Sequence, residues 1–123
     1  MKVLVVDDYA TMRRIIRNFL AQIGFDDVEE AEDGESAIRK LKSKEFGLVL
    51  SDWQMVPMTG LQLLKSVRTD STLAKMPFIL ITAESKPENI AAAKQAGANS
   101  YIVKPFNADT LKTKIMAALS RVA

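Results

Sequence analysis

Phe78-Ile79-Leu80-Ile81, followed by Thr82, is the stretch that decides the fold of this chain of 123 residues. Four apolar residues in succession are typical of a strand that is buried on both faces, as strands of a parallel sheet are. Val3-Leu4-Val5-Val6, Leu48-Val49-Leu50 and Tyr101-Ile102-Val103 have the same character, and a weaker strand is predicted around Val28. The sequence therefore predicts five strands.

The segments between these strands have the apolar spacing of amphipathic helices. Glycine is placed to end two of them, since Gly24 closes the first helix and Gly97 closes an alanine-rich fourth helix. The apolar positions of the first, second, third and last helices are Met12, Ile15, Ile16, Phe19, Leu20 and Ile23; Ala37, Ile38 and Leu41; Leu61, Leu64 and Val67; and Leu111, Ile115, Ala118, Leu119 and Val122.

Two helix starts are also predicted. Ser85-Lys86-Pro87-Glu88 has the spacing of a capping box for the fourth helix, with proline tolerated in the first turn. Asn107 is the predicted N-cap of the last helix. Strands that alternate with helices along the whole chain predict an α/β fold, in which a parallel sheet is covered by helices on both faces.

Composition excludes whole classes of site. The chain has no Cys and no His, so disulfides, thiol nucleophiles, Cys- or His-ligated zinc and imidazole catalysis are excluded. A metal must be held by oxygen ligands, which points to Mg²⁺, Mn²⁺ or Ca²⁺. No stretch approaches the ~20 apolar residues of a membrane span, and no signal-peptide core is present. We therefore expect a cytoplasmic protein with no membrane partner.

The net charge of +2 is unevenly distributed. Residues 1–58 carry 8 Lys and Arg against 11 Asp and Glu, whereas residues 86–123 carry 6 against 2. Such a basic segment is either a solvated surface or a site for an acidic protein segment or nucleic acid. Because no zinc-finger, RNP or basic-helix motif is present, we expect no nucleic-acid partner.

Polar side chains follow the predicted strands at the points where the strands end. Asp7 and Asp8 follow the first strand, Asp52 the third, Thr82 the fourth and Lys104 the fifth. Ligands of open parallel sheets bind at the carboxyl ends of the strands. Crowded carboxylates repel one another, and a divalent cation relieves that repulsion, while an ammonium and a hydroxyl suit a phosphate. The pattern predicts phosphoryl transfer with Mg²⁺ and a carboxylate nucleophile.

The sequence resembles the receiver domains of response regulators, in particular the single-domain receivers of chemotaxis, over essentially its whole length. The motifs that carry the resemblance are Val5-Val6-Asp7-Asp8, Thr11-Met12-Arg13-Arg14, Ala31-Glu32-Asp33-Gly34, Ser51-Asp52-Trp53, Met58-Thr59-Gly60, Thr82-Ala83-Glu84, Ala96-Gly97-Ala98 and Lys104-Pro105-Phe106. The resemblance implies one receiver domain over residues 1–123. It also implies a doubly wound, flavodoxin-like (βα)5 three-layer sandwich with strand order 2-1-3-4-5.

The resemblance further implies the roles of the acidic residues. Asp52 is the phosphoryl acceptor. Asp7 and Asp8 hold Mg²⁺, directly or through water, together with the Asp52 carboxylate and the backbone carbonyl of Gln54.

Three other residues receive roles from the same resemblance. Lys104 pairs with the phosphoryl oxygens and is aimed by a cis peptide before Pro105. Thr82 is the switch hydroxyl, and Tyr101 is the aromatic residue that turns inward when Thr82 moves toward the phosphoryl group.

The resemblance implies a signalling switch of a two-component system. A histidine kinase is the expected phosphodonor, and the flagellar motor switch is the first expectation for the output partner. We expect a monomer that is not an enzyme beyond its own phosphorylation and dephosphorylation. A phosphorelay intermediate or a phosphate-sink receiver has the same chemistry and stays open as an alternative.

Two positions depart from the pattern of chemotaxis receivers. Pro57 follows Val56, where the pattern has proline directly after the residue equivalent to Met55, and Gln54 stands where Asn is more usual. The loop length to Gly60 is unchanged, so we expect the Mg²⁺ site to be retained.

Other classes of function fit the sequence less well. A fragment of a DNA-binding regulator is disfavoured because residues 107–123 complete a last helix without a linker. A haloacid-dehalogenase-type phosphatase needs a second Asp where this chain has Gln54. A flavodoxin-like FMN binder has no need of Asp7, Asp8 and Asp52 together.

Overall fold

The computed structural model describes residues 1–120 of the chain. Strands and helices alternate through this part of the sequence, as predicted. In chain order they are β1 (Val3–Val6), α1 (Ala10–Gln22), β2 (Val28–Ala31), α2 (Gly34–Ser43), β3 (Leu48–Asp52), α3 (Gly60–Thr69), β4 (Phe78–Thr82), α4 (Pro87–Ala96), β5 (Ser100–Val103) and α5 (Ala108–Ser120).

The five strands form one sheet in the order β2-β1-β3-β4-β5. Every neighbouring pair runs parallel, so the doubly wound fold and the strand order implied by the resemblance are confirmed. The register places Asp52 opposite Ile81 and Thr82 opposite Val103. The carboxyl ends of β1, β3, β4 and β5 therefore meet at one edge of the sheet.

The two faces of the sheet bury separate apolar clusters because successive strand residues point to opposite sides. Leu4 and Val6 of β1 pack with residues of α2, α3 and α4. Val3 and Val5 pack with residues of α1 and α5. Helices thus cover both faces, which explains why the strands are nearly continuous apolar runs.

The start of α4 differs from the prediction. Its N-cap is Lys86 rather than Ser85, and no side chain caps the helix. Proline favours the first helical position, where its missing N–H is not needed. Pro87 occupies that position, so the helix starts one residue later than a capping box at Ser85 requires. The predicted N-cap Asn107 is confirmed, because its Oδ1 accepts a hydrogen bond from the Thr110 N–H at 2.9 Å.

The capping boxes lie elsewhere, at the starts of α2 and α3. Asp33 accepts from the Ser36 N–H, and Thr59 accepts from the Gln62 N–H, each with the reciprocal bond from the backbone. Both starts face the edge of the sheet where the strands end. The boxes therefore fix the loops that follow β2 and β3.

The buried faces of the helices agree with the prediction except at two residues. Ile15 lies at the margin of the α1 stripe and is 38% exposed, whereas Leu63 of α3 is fully buried beside Leu64. Val122 of the last predicted stripe lies outside the described residues. None of the helices within residues 1–120 has the length and apolar character needed to cross a membrane.

Candidate functional site

Three carboxylates converge at the carboxyl ends of β1 and β3. One oxygen each of Asp7, Asp8 and Asp52 lies within 4.8 Å of the others. Asp7 and Asp52 are buried, with 2% and 5% of their surface exposed, whereas Asp8 is exposed. The convergence predicted from the strand ends is therefore present in the fold.

The backbone around Asp7 is held by two neighbours. The Tyr9 N–H donates a hydrogen bond to Asp7 Oδ1 at 2.9 Å. Arg13 of α1 donates from Nη1 to the Asp7 carbonyl at 2.6 Å, and its Nε pairs with Glu30 Oε1 at 2.8 Å. Sequence reasoning missed this role of Arg13, because a polar residue with helical spacing does not reveal which carbonyl it reaches.

Lys104 supplies the positive charge of the site. Its Nζ lies 2.9 Å from Asp52 Oδ1 and 4.0 Å from Asp7 Oδ2. Its backbone N–H donates to the Thr82 carbonyl at 2.8 Å, and the Lys104-Pro105 peptide is cis, as the resemblance implied. The contact between the ammonium and Asp52 Oδ1 is an ion pair.

Burial dominates the electrostatics of both inner carboxylates. It raises the pKa of Asp7 to about 6; the hydrogen bond from Tyr9 opposes this rise, and the charge of Asp52 adds to it. Burial also raises the pKa of Asp52, against the lowering effect of Lys104. Both groups are thus less stable as anions than exposed carboxylates are.

The acidic residues fit a bound divalent cation. Within residues 1–120, Asp7 Oδ2 is buried and has no hydrogen-bond donor, although buried polar atoms are nearly always paired. A cation among Asp7, Asp8 and Asp52 satisfies that oxygen and offsets the mutual repulsion of the carboxylates. All its protein ligands are oxygen, the donor type that hard cations take.

Thr82 closes the side of the site at the end of β4 and is 2% exposed. Its Oγ1 accepts from the Glu84 N–H at 3.0 Å and from Gln54 Nε2 at 3.4 Å. The bond from Gln54 was not predicted. This residue stands where Asn is more usual in chemotaxis receivers, and its longer side chain spans to β4.

Tyr101 lies near the start of β5 and is partly buried against the α2–α3–α4 side of the sheet. Lys114 Nζ of α5 lies over its ring, 5.1 Å from the centroid. Such a placement attracts the cation to the face of the ring. The aromatic residue at this surface is therefore in contact with a basic side chain.

Comparison with known proteins assigns the family. The sequence matches the response regulator receiver domain over residues 3–116. The chain belongs to this family.

The relatives that this receiver matches include chemotaxis proteins. It is 49% identical over 122 residues to chemotaxis protein CheY-3 of Vibrio cholerae, covering 99% of this chain and 94% of the relative. It is 48% identical to chemotaxis protein CheY of Pseudomonas aeruginosa, covering 99% and 98%. It is thus a receiver of the CheY type, consistent with two-component signalling in chemotaxis.

Solved structures agree with this assignment. The structure of chemotaxis response regulator CheY4 of Vibrio cholerae matches with a TM-score of 0.88 and 36% identity, covering 96% of this chain and 98% of that one. A receiver-domain protein of Methanospirillum hungatei matches with a TM-score of 0.86 and 29% identity, covering 98% and 94%. The receiver reading is favoured over the phosphatase and FMN-binding alternatives.

The loop between β3 and α3 carries the departure at Pro57. The Val56-Pro57 peptide is cis, and Val56 is 77% exposed. The loop still closes on Asp52, because the Gly60 N–H donates to the Trp53 carbonyl at 2.9 Å. A Cβ at Gly60 would collide with the backbone of Asp52. The altered proline position therefore lies in the exposed part of the loop, while the acidic pocket contains its three carboxylates.

Proposed function

We propose that this receiver accepts a phosphoryl group on Asp52 from a histidine kinase, with Mg²⁺, and thereby changes its affinity for an output partner. The observation that supports this most is the position of Asp52. One oxygen of its buried carboxylate lies within 4.8 Å of oxygens of Asp7 and Asp8, and another contact, of 2.9 Å, joins it to Lys104 Nζ. A nucleophile, a cation site and an ammonium are thus adjacent.

The proposed reaction moves one phosphoryl group between two residues. A carboxylate oxygen of Asp52 attacks phosphorus, and the phosphorus–nitrogen bond of the phosphohistidine donor breaks. The electron pair of that bond returns to the imidazole of the kinase, and an acyl phosphate remains on Asp52. Lys104 Nζ is placed to pair with a phosphoryl oxygen in place of the Asp52 oxygen that it now contacts.

The acidic residues have a holding role in this proposal. Asp7, Asp8 and Asp52 would hold Mg²⁺ together with the backbone carbonyl of Gln54. When bound, Mg²⁺ offsets the negative charge of the carboxylates and of the incoming phosphoryl group. Tyr9 and Arg13 keep the Asp7 backbone in place by their hydrogen bonds.

The proposed output passes from Thr82 to Tyr101. The Thr82 hydroxyl turns toward the phosphoryl group, and Tyr101 turns inward into the space that this movement opens. The backbone bond from the Lys104 N–H to the Thr82 carbonyl links β4 to β5 next to the site. A partner that binds one of the two arrangements more tightly then reads the phosphorylation.

The flagellar motor switch is the output partner that we propose, because relatives at 48% and 49% identity are named chemotaxis proteins. The α4–β5–α5 surface suits a short acidic segment of such a partner. Lys94 and Lys114 line a groove of about 310 Å³ beside Tyr101 there. Lys86, the N-cap of α4, and Lys112 of α5 are exposed. We propose a monomer that acts in the cytoplasm as a switch, with no catalysis beyond its own phosphorylation and dephosphorylation.

Phosphoryl uptake by matched variants tests the proposed function. The protein is incubated with a small acyl phosphate and Mg²⁺, and acid-labile phosphate is measured. Wild type and Asp26→Asn, which changes an exposed carboxylate away from the site, are expected to take up the group equally. Asp52→Asn is expected to take up none. Uptake by Asp52→Asn at the wild-type level would contradict the assignment.

A further inference from the structure

Arg68, near the C-terminal end of α3, uses every N–H of its guanidinium. Nε and Nη2 both donate to the Gly97 carbonyl, at 3.1 and 2.8 Å, and Nη2 also donates to Asn99 Oδ1 at 3.0 Å. Nη1 donates to the carbonyls of Ala74 and Met76, at 3.1 and 2.7 Å. A guanidinium has five N–H donors, and all five are used here.

The acceptors of this network are all neutral. Within residues 1–120, no carboxylate pairs with Arg68. The charged guanidinium instead donates hydrogen bonds to three backbone carbonyls and one side-chain amide. Removing the guanidinium would take this donor away from the three carbonyls in a partly buried place, which costs more than the loss of an exposed bond does.

Gly97 has no Cβ that would obstruct its contact with Arg68. It ends α4 with a φ of 96°, a conformation that favours glycine. A Cβ at this residue would lie 2.9 Å from Arg68 Nε. The same glycine therefore ends the helix and leaves room for the guanidinium.

Asn99 extends the network into the sheet. Its Oδ1 accepts from the Phe78 N–H at 2.9 Å as well as from Arg68, and its own N–H donates to the Phe78 carbonyl at 2.9 Å. Arg68 thus joins α3, the segment before β4, the end of α4 and the start of β5. This junction lies at the amino ends of β4 and β5, opposite the acidic pocket.

At the other end of α4 the side-chain contacts are local ones to Glu84, from Asn89 Nδ2 at 3.2 Å and from Lys86 Nζ at 3.6 Å. The N-cap of the helix, Lys86, has no side-chain capping bond, and residues 83–88 are all exposed. Ala93, in the C-terminal half, is the fully buried residue of the helix. The attachment of α4 is therefore concentrated at the end that Arg68 holds.

We propose that Arg68 is a positioning residue that fixes the C-terminal end of α4 and the start of β5, so that α4 opens from its N-terminal end. The inference concerns the unmodified chain. It does not depend on phosphoryl transfer or on a bound metal.

Amide hydrogen exchange of the unmodified, metal-free protein tests the proposal. In wild type, the amides of Asn89 and Ile90 are expected to exchange faster than those of Ala98 and Asn99. In Arg68→Met, exchange at Ala98 and Asn99 is expected to rise roughly 10- to 100-fold relative to the amides of β1, as the loss of hydrogen bonds from a charged group predicts. Arg68→Lys, which keeps the charge and part of the donors, should give a smaller rise at the same amides.

Two control variants separate this role from a general loss of stability. Arg14→Met removes an exposed arginine of α1 and is expected to leave the exchange rates of α4, Ala98 and Asn99 unchanged. Val67→Ala removes buried volume beside Arg68 on the same helix. It is expected to raise exchange throughout the chain while keeping α4 faster at its N-terminal end.

The proposal is wrong if the two ends of wild-type α4 exchange equally. It is also wrong if Arg68→Met raises exchange at Ala98 and Asn99 no more than Val67→Ala does. If Arg68→Met does not fold, Arg68→Lys is the deciding variant. Faster amide exchange confined to Ala98, Asn99 and the segment before β4 supports the proposal. Exchange rates equal to those of wild type contradict it.

Discussion

Lys104 and Asp52 form an ion pair of 2.9 Å that joins the ends of β5 and β3 across the intervening strand β4. The pair places a cation directly beside the buried carboxylate of Asp52. Burial raises the pKa of Asp52, and this contact with Lys104 opposes that rise. A phosphoryl group on Asp52 would bring further negative charge to this site. Lys104 would then share its positive charge with the phosphoryl oxygens.

Removal of one outer carboxylate should weaken metal binding. Asp8→Asn removes one of three possible oxygen ligands, so we expect weaker Mg²⁺ affinity than in wild type. Trp53, the sole tryptophan, adjoins Asp52, and its fluorescence during a Mg²⁺ titration provides the measurement. Asp26→Asn is the control and should bind as wild type does. Equal Mg²⁺ affinity in Asp8→Asn and wild type would count against the site.

The metal-free protein should become more stable, through Asp7, as the pH falls. The pKa of Asp7 is raised from 3.8 to about 6 in the folded chain, so between these values the folded state binds more protons than the unfolded state. The contribution of Asp7 to the free energy of unfolding therefore increases as the pH falls through about 6 and decreases as the pH rises. The full effect is at most ~3 kcal/mol.

Asp7→Asn isolates that effect, since its amide oxygen can still accept from the Tyr9 N–H. Denaturant unfolding at several pH values is the measurement. The variant should be more stable than wild type at neutral pH, and the difference should shrink toward about pH 4. The same pH dependence in both proteins would show that Asp7 does not titrate as described.

Gln54 should oppose the movement of Thr82. Its Nε2 donates to Thr82 Oγ1 at 3.4 Å, and this bond holds the hydroxyl in its present place. Gln54→Ala removes the bond, so we expect affinity for a beryllium fluoride phosphoryl mimic to increase about two- to fivefold. Trp53 fluorescence reports the binding, and Gln95→Ala, on α4, is the control. Unchanged or weaker affinity in Gln54→Ala would contradict this role.

Lys114 should set the environment of Tyr101. The chain has two tyrosines, so 3-fluorotyrosine labelling gives two ¹⁹F resonances, and Tyr9→Phe assigns them. Lys114→Gln removes the cation over the ring and is expected to shift the Tyr101 resonance while that of Tyr9 stays in place. Lys112→Gln, two residues away and exposed, should shift neither. Identical shifts in both variants would rule out a specific contact.

Most of the fold follows from local patterns in the sequence. The apolar runs of β1, β3 and β4 are buried at every residue, so their positions could be predicted without tertiary information. The convergence of Asp7, Asp52 and Lys104 also follows, because parallel strands bring their carboxyl ends to one edge. The strand order needed the family resemblance.

The contacts of long polar side chains could not be predicted in the same way. Arg68 reaches Gly97, 29 residues away in sequence, and Arg13 reaches Glu30 on a neighbouring element. Such bonds depend on tertiary distances that no periodicity encodes. The start of α4 failed for a local reason, because Pro87 favoured the first helical position over the spacing of the capping box.

The identity of the phosphoryl acceptor is the central claim, and its direct test locates the group chemically. Protein treated with a small acyl phosphate and Mg²⁺ is reduced with borohydride, which converts an aspartyl phosphate to homoserine, and the peptides are sequenced by mass spectrometry. The account predicts homoserine at residue 52, none at Asp7 or Asp8, and no conversion when Mg²⁺ is omitted. Homoserine at another aspartate, with Asp52 intact, would contradict it.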